Sequence, residues 1–186
     1  MKIMRRRREL KTDYGKRLKL LKGRKTRLVV KRNLDNIHVQ FINYEKNGDK
    51  TVVEEISKNL VKYGWKYHCG NLPAAYLIGL AAGLKAKKLG IDEAILDTGM
   101  QMSIKGGAIY AAVAGVIDSG MKVPVGEAMP DKERISGKHI AEYAKSIGKE
   151  KYEKQFSGYI KKGAKPEDMS INFEDVKKNI IEQKMV

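Results

Sequence analysis

NLPAAYLIGLAAGLKAKKLGIDEAILD, residues 71–97, is the stretch on which the fold turns. Asn71 is a good N-cap, Pro73 falls in a first helical turn, and Gly90 stands where a helix would stop. Ala75, Ile78, Gly79, Ala82, Ala86 and Leu89 recur at helical spacing, so one long helix is predicted between these signals. Its small residues would let it lie close against a sheet. Ala94 to Asp97 then reads as a short buried strand. A helix leading directly into such a strand places the chain among α/β folds.

Working outward, the residues before this stretch read as strands. Arg27 to Arg32 is apolar in its middle and basic at both ends. Asn33 to Asn36 reads as a turn, and Ile37 to Tyr44 as a second strand. Ile37, Val39 and Phe41 share one face of it, opposite His38, Gln40, Ile42 and Tyr44. Asn47-Gly48 marks another turn, before a third strand from Thr51 to Ile56. Ser57 is expected to cap a short helix ending at Gly64. Beyond Asp97, a second small-residue helix is predicted from Gly107 to Ser119, and Val123-Pro124-Val125 as a short edge strand. The predicted core is an antiparallel meander followed by helix, strand and helix, an α/β sandwich on a mixed sheet.

Charge divides the chain further. The first 32 residues hold 15 Lys and Arg against Glu9 and Asp13, which is +13 of the total +16. So dense a block repels itself and suits a polyanion whose condensed counterions it can displace. Arg5, Arg6, Arg7, Arg8, Lys11, Lys16, Arg17, Lys19, Lys22, Arg24 and Lys25 are the candidate phosphate contacts of this arm. Tyr14 is a candidate stacking ring. Arg27, Lys31 and Arg32 would extend the contact surface onto the folded domain. Residues 1–25 are thus read as a basic RNA-binding arm, 26–126 as the core domain and 127–186 as a helical extension. In the extension 13 Lys and Arg nearly balance 11 Asp and Glu. Ile135, Ile140, Tyr143 and Ile147 mark one helical stretch there, and Phe173, Val176, Ile180 and Ile181 mark the last. Tyr152, Phe156, Tyr159 and Phe173 offer apolar and stacking anchors, so the extension is expected to dock on RNA or neighbouring proteins and to be less ordered when free.

Several classes are excluded or weakened. A single cysteine, Cys69, allows no internal disulfide framework and suits a reduced, cytoplasmic setting. The apolar run Leu72–Leu84, 13 residues, is too short to span a bilayer. The arm lacks the apolar face of a membrane-surface peptide. His38, His68 and His139 have no ligand-like spacing, and no metal or other cofactor is expected. Neither GxGxxG nor GxxxxGK[ST] occurs. Lys105-Gly106-Gly107 remains a candidate phosphate contact through backbone N–H groups at a helix start. The alternative of a metal-dependent nuclease rests on Asp97 with one of Glu54 and Glu55, since adjacent strand residues face opposite ways. Two acids are too few for a two-metal site. No catalytic residue, enzyme activity or small-molecule substrate is expected.

The stretch Gly70-Asn71-Leu72-Pro73-Ala74-Ala75-Tyr76-Leu77-Ile78-Gly79 resembles the signature of large-subunit ribosomal protein eighteen, as does Leu89-Gly90-Ile91 with the strand ending in Asp97. Arg5-Arg6-Arg7-Arg8-Glu9-Leu10-Lys11-Thr12-Asp13-Tyr14 and Arg134-Ile135-Ser136-Gly137-Lys138-His139-Ile140-Ala141-Glu142-Tyr143 are similar to its longer archaeal and eukaryotic branch. The resemblance implies a non-catalytic protein that attaches 5S ribosomal RNA to the large-subunit RNA at the central protuberance, beside other large-subunit proteins. It also implies a three-layer, ribonuclease H-like fold. The chain departs from the family pattern at Lys25-Thr26-Arg27, where Arg-Pro-Arg is expected, and at Thr98-Gly99-Met100, where the bacterial branch has Arg-Gly-Gly.

Overall fold

The structure is a computed structural model and describes residues 4–182. Lys2 of the arm and Lys184 of the extension lie outside them. Four strands, β1 (Arg27–Arg32), β2 (Ile37–Glu45), β3 (Gly48–Ile56) and β4 (Ile95–Asp97), form one mixed sheet in the order β3-β2-β1-β4. The meander is antiparallel, with Arg27 opposite Ile42 and Val39 opposite Glu55, while β4 joins β1 in parallel through Leu28 and Leu96. The expected turn at Asn33–Asn36 is closed by Asn33 N–H donating to the Asn36 carbonyl at 2.8 Å. The alternation read from β2 holds: Ile37, Val39 and Phe41 are fully buried on the inner face, beside Leu28 and Val30 of β1.

That inner face packs on α3 (Leu72–Lys88), the predicted long helix. Asn71 Oδ1 accepts from Ala74 N–H at 2.9 Å, and Gly90 leaves the helix at φ +76°, a conformation open chiefly to glycine. The helix is apolar nearly all round, as a helix enclosed on several sides must be. Besides the sheet it meets α4 (Ala108–Asp118) and α9 (Met169–Glu182). Each Leu, Ile or Phe fully buried here stabilises the fold by about 1.5–3 kcal/mol relative to an exposed one.

The role expected of the small residues needs correcting. A Cβ on Gly79 would strike the backbone of Ala112, one on Gly83 the Ser119 hydroxyl, and one on Gly115 the Tyr76 carbonyl. The close approach is therefore between α3 and α4, not between α3 and the sheet. Three local expectations are also overturned. Ser57 caps nothing: its hydroxyl accepts from Ile37 N–H at 2.9 Å, and the 3-10 helix Ser57–Tyr63 follows. Val123–Val125 forms no strand, because only a bridge between Glu93 and Lys122 is made beside Pro124. β4 is a half-buried sheet edge instead of a buried strand.

The extension closes the core. Its helices are α5 (Lys132–Ile135), α6 (Lys138–Ser146), α7 (Lys149–Gln155), α8 (Ser157–Ile160) and α9. The single stretch expected from Ile135 to Ile147 breaks at Gly137, whose φ of +79° turns the chain over Met169 and Pro73. Met169, Phe173, Val176 and Ile180 are buried in the same cluster as the sheet and α3. Phe156 is buried too, stacked on Tyr159 at 5.9 Å between ring centroids. Phe156 and Phe173 are accordingly not outward anchors: the apolar face of the extension packs within the chain.

Candidate nucleic-acid interface

Alternation along β1 sends Arg27, Val29 and Lys31 to the outer face of the sheet. Val29 is 7% exposed yet stands outside the main core cluster, because the arm covers it. The arm holds two helices, α1 (Arg5–Arg8) and α2 (Tyr14–Lys22). Asp13 caps α2, accepting from Gly15 and Lys16 N–H at 2.9 and 3.1 Å, and gives this basic segment a defined start. Lys16 Nζ then reaches Thr98 Oγ1 at 2.9 Å, and Arg17 pairs with Asp49 at 2.9 Å. The arm thus docks by polar contacts, with no buried residue of its own.

Arg27 lies under it and is not a surface contact. At 4% exposure its guanidinium sits between Asp49, at 2.7 Å, and Asp97, at 3.1 Å. It is the cation that neutralises two carboxylates on the outer face. The missed signal was its position: an arginine at the base of an apolar strand needs anions from neighbouring strands when buried. Asp97 also accepts from Gly99 N–H at 2.9 Å, which closes the turn after β4.

Other cations are partly committed within the chain. Arg5 and Lys11 flank Glu9, at 2.8 and 2.9 Å, and hold its carboxyl below the usual range. Lys25 pairs with Glu93 at 2.7 Å, and Arg6 Nε donates to Thr12. Arg7, Arg8, Lys19, Lys22, Arg24, Lys31, Arg32 and Lys105 are exposed and make no ion pair among the described residues. Tyr14 is half-buried at the first position of α2.

At the other end of β1, Gln101 extends the sheet's pairing with its side chain. It accepts from Arg32 N–H at 2.9 Å and donates to the Arg32 carbonyl at 2.6 Å. Lys105-Gly106-Gly107 does lead into α4, but the amides proposed for phosphate are occupied. Gly106 N–H donates to Ala128 and Gly107 N–H to Ile104. Any anion contact there falls to side chains.

The carboxylates of the nuclease alternative do not converge. β3 and β4 are opposite edges of the sheet, three strand spacings or about 14 Å apart. Glu55 is turned inward against Lys85 and Asn59, while Glu54 accepts from Gln40 on the outer face. Among the described residues no three His, Cys, Asp or Glu side chains gather as a metal site would need. No described helix is long and apolar enough to cross a membrane.

With a docked basic arm laid across a sheet, comparison with known families becomes decisive. The model of the family described as "Ribosomal large subunit proteins 60S L5, and 50S L18" matches residues 1–94. The chain belongs to this family. It is a ribosomal protein of the large subunit, an RNA-binding component of translation, and the family's role is structural. The matched residues take in the arm, the meander and α3; Asp97, Lys105 and the extension lie beyond them.

Proposed function

We propose that the chain binds 5S ribosomal RNA and helps to attach it to the large-subunit RNA at the central protuberance, as a non-enzymatic constituent beside other large-subunit proteins. The observation that carries this reading is the division of labour in the arm. Lys16 and Arg17 hold α2 to the sheet, while Arg7, Arg8, Lys19, Lys22 and Arg24 stay exposed without ion pairs. The arm presents these cations from a docked helix and its flanks, so less ordering entropy opposes binding than for a free tail. In this reading residues 1–25 grip phosphate, 26–126 form a three-layer, ribonuclease H-like frame without its chemistry, and 127–186 brace that frame. Lys31 and Arg32 continue the contact surface; Arg27 supports it from beneath.

The test replaces Arg7, Arg8, Lys19, Lys22 and Arg24 by Gln and follows affinity for 5S ribosomal RNA against salt. With about 6 phosphates neutralised, the parent slope of log K on log salt should be about −4 to −5. The variant should lose most of that slope while melting as the parent does. An unchanged slope, or equal affinity of the parent for an unrelated RNA of the same length, would overturn the proposal.

A further inference from the structure

A cleft of about 530 Å³ opens beside the end of β1, within the size range of small-ligand sites. Arg32 from β1, Lys105 from the loop before α4, and Arg134 from α5 line it together, although they are far apart in the chain. No acidic residue lines it, and none of the three cations makes an ion pair among the described residues. The cleft between the arm and the sheet is different: Asp13, Asp49 and Asp97 line it with the cations.

The same loop offers apolar surface. Met102 is 80% exposed and Ile104 61% exposed. The backbone around them is nonetheless secured, by Gln101 on Arg32 at one end and by Gly106 N–H on Ala128 at the other. Two large apolar side chains held outward beside three unpaired cations ask for an occupant with both an apolar face and negative charge. A membrane or an acidic protein supplies one requirement well and the other poorly. An RNA duplex supplies charge, but its base faces are stacked out of reach. An unpaired nucleotide supplies both.

Resting on the proposed ribosomal RNA binding, we infer that this cleft is a second RNA site, separate from the arm, for an unstacked single-stranded segment. Its phosphates meet Arg32, Lys105 and Arg134, and one base lies against Met102 and Ile104. The site is completed only when the extension folds back, since Arg134 belongs to α5.

The experiment measures binding of the full chain to a mixed-sequence single-stranded RNA octamer and to an RNA duplex of the same length. One variant carries Lys105→Gln and Arg134→Gln, leaving Arg32 in place because it also continues the arm's contact surface; another carries Met102→Ser and Ile104→Ser. The cation variant should lose about 1.4 from the salt slope for the octamer, at roughly 0.7 per phosphate, while duplex binding through the arm is retained. The apolar variant should bind the octamer about tenfold more weakly with its salt slope unchanged, a signature of lost base contact. If the apolar variant keeps octamer affinity but enters large subunits poorly, the cleft holds protein and the inference fails. Parent-like octamer binding by both variants also overturns it, and leaves the arm's role standing. A parent that binds neither RNA removes the arm's proposed grip on phosphate and the inference together.

Discussion

The two faces of the sheet are stabilised by different physics. The inner face presents Leu28, Val30, Ile37, Val39 and Phe41, all fully buried against α3, and behind it α3 and α4 meet backbone to backbone through glycines. The outer face buries Val29 beneath the arm but is held chiefly by charge, with Arg27 between Asp49 and Asp97 and Arg17 on Asp49. Dispersion and close packing are insensitive to salt and unforgiving of volume, whereas exposed ion pairs weaken as salt rises. A protein that must take hold of a polyanion therefore keeps its frame on one side and its adjustable contacts on the other.

The largest effect should come from Arg27→Ala. It would leave Asp49 and Asp97 near one another on the outer face with their buried counterion removed, at a cost of roughly 3–5 kcal/mol in urea denaturation. Salt slope for RNA should stay as in the parent. A changed slope with little loss of stability would mean Arg27 serves RNA directly.

Gly79→Ala comes next, at about 3 kcal/mol, because its Cβ meets Ala112 backbone that cannot swing aside. Ala82→Leu, at a fully buried position, should cost roughly 1–3 kcal/mol. Both losses should be the same in low and high salt. If they shrink in salt, the division between the faces fails.

The inner face contains one charge that sharpens the comparison. Glu55 is 3% exposed, hydrogen-bonded by Lys85 and Asn59, and its contact pushes the Lys85 pKa up. Lys85→Met should cost roughly 1–3 kcal/mol by leaving Glu55 short of a partner. A lysine whose pKa is raised on folding contributes stability that is complete below its unfolded value of about 10.4 and is lost as pH rises through the folded value. The parent should accordingly lose stability above about pH 10.4 more steeply than Lys85→Met, as thermal melts across that range would register.

The smallest effect is expected for Arg17→Ala, about 0.2–1 kcal/mol, since both partners of that pair are partly exposed. It should fade as salt is raised. A cost that persists at high salt would mark α2 as part of the packed frame.

Much of this frame was legible in local pattern. Asn71, Pro73 and Gly90 delimit α3 because capping and φ preference act within a few residues. The alternation at Ile37, Val39 and Phe41 identifies a buried face without any knowledge of what covers it. Long-range partners were not legible. Gly79 reads equally well as contact with a sheet or a helix, and Phe173 as core or as anchor, since spacing says that a side chain is buried and not against what.

By itself, the sequence determined the α/β character, the main helices and the concentration of charge in the first 32 residues, all of which follow from short-range geometry and composition. Only the tertiary structure decided which charges remain available. Strand order set Glu54 and Asp97 at opposite edges, brought Asp49 and Asp97 onto Arg27, and returned α5 so that Arg134 joins Arg32 and Lys105. Whether a cation is committed or free depends on residues tens of positions away, and only chain folding brings those within the few ångströms over which ion pairs and hydrogen bonds act.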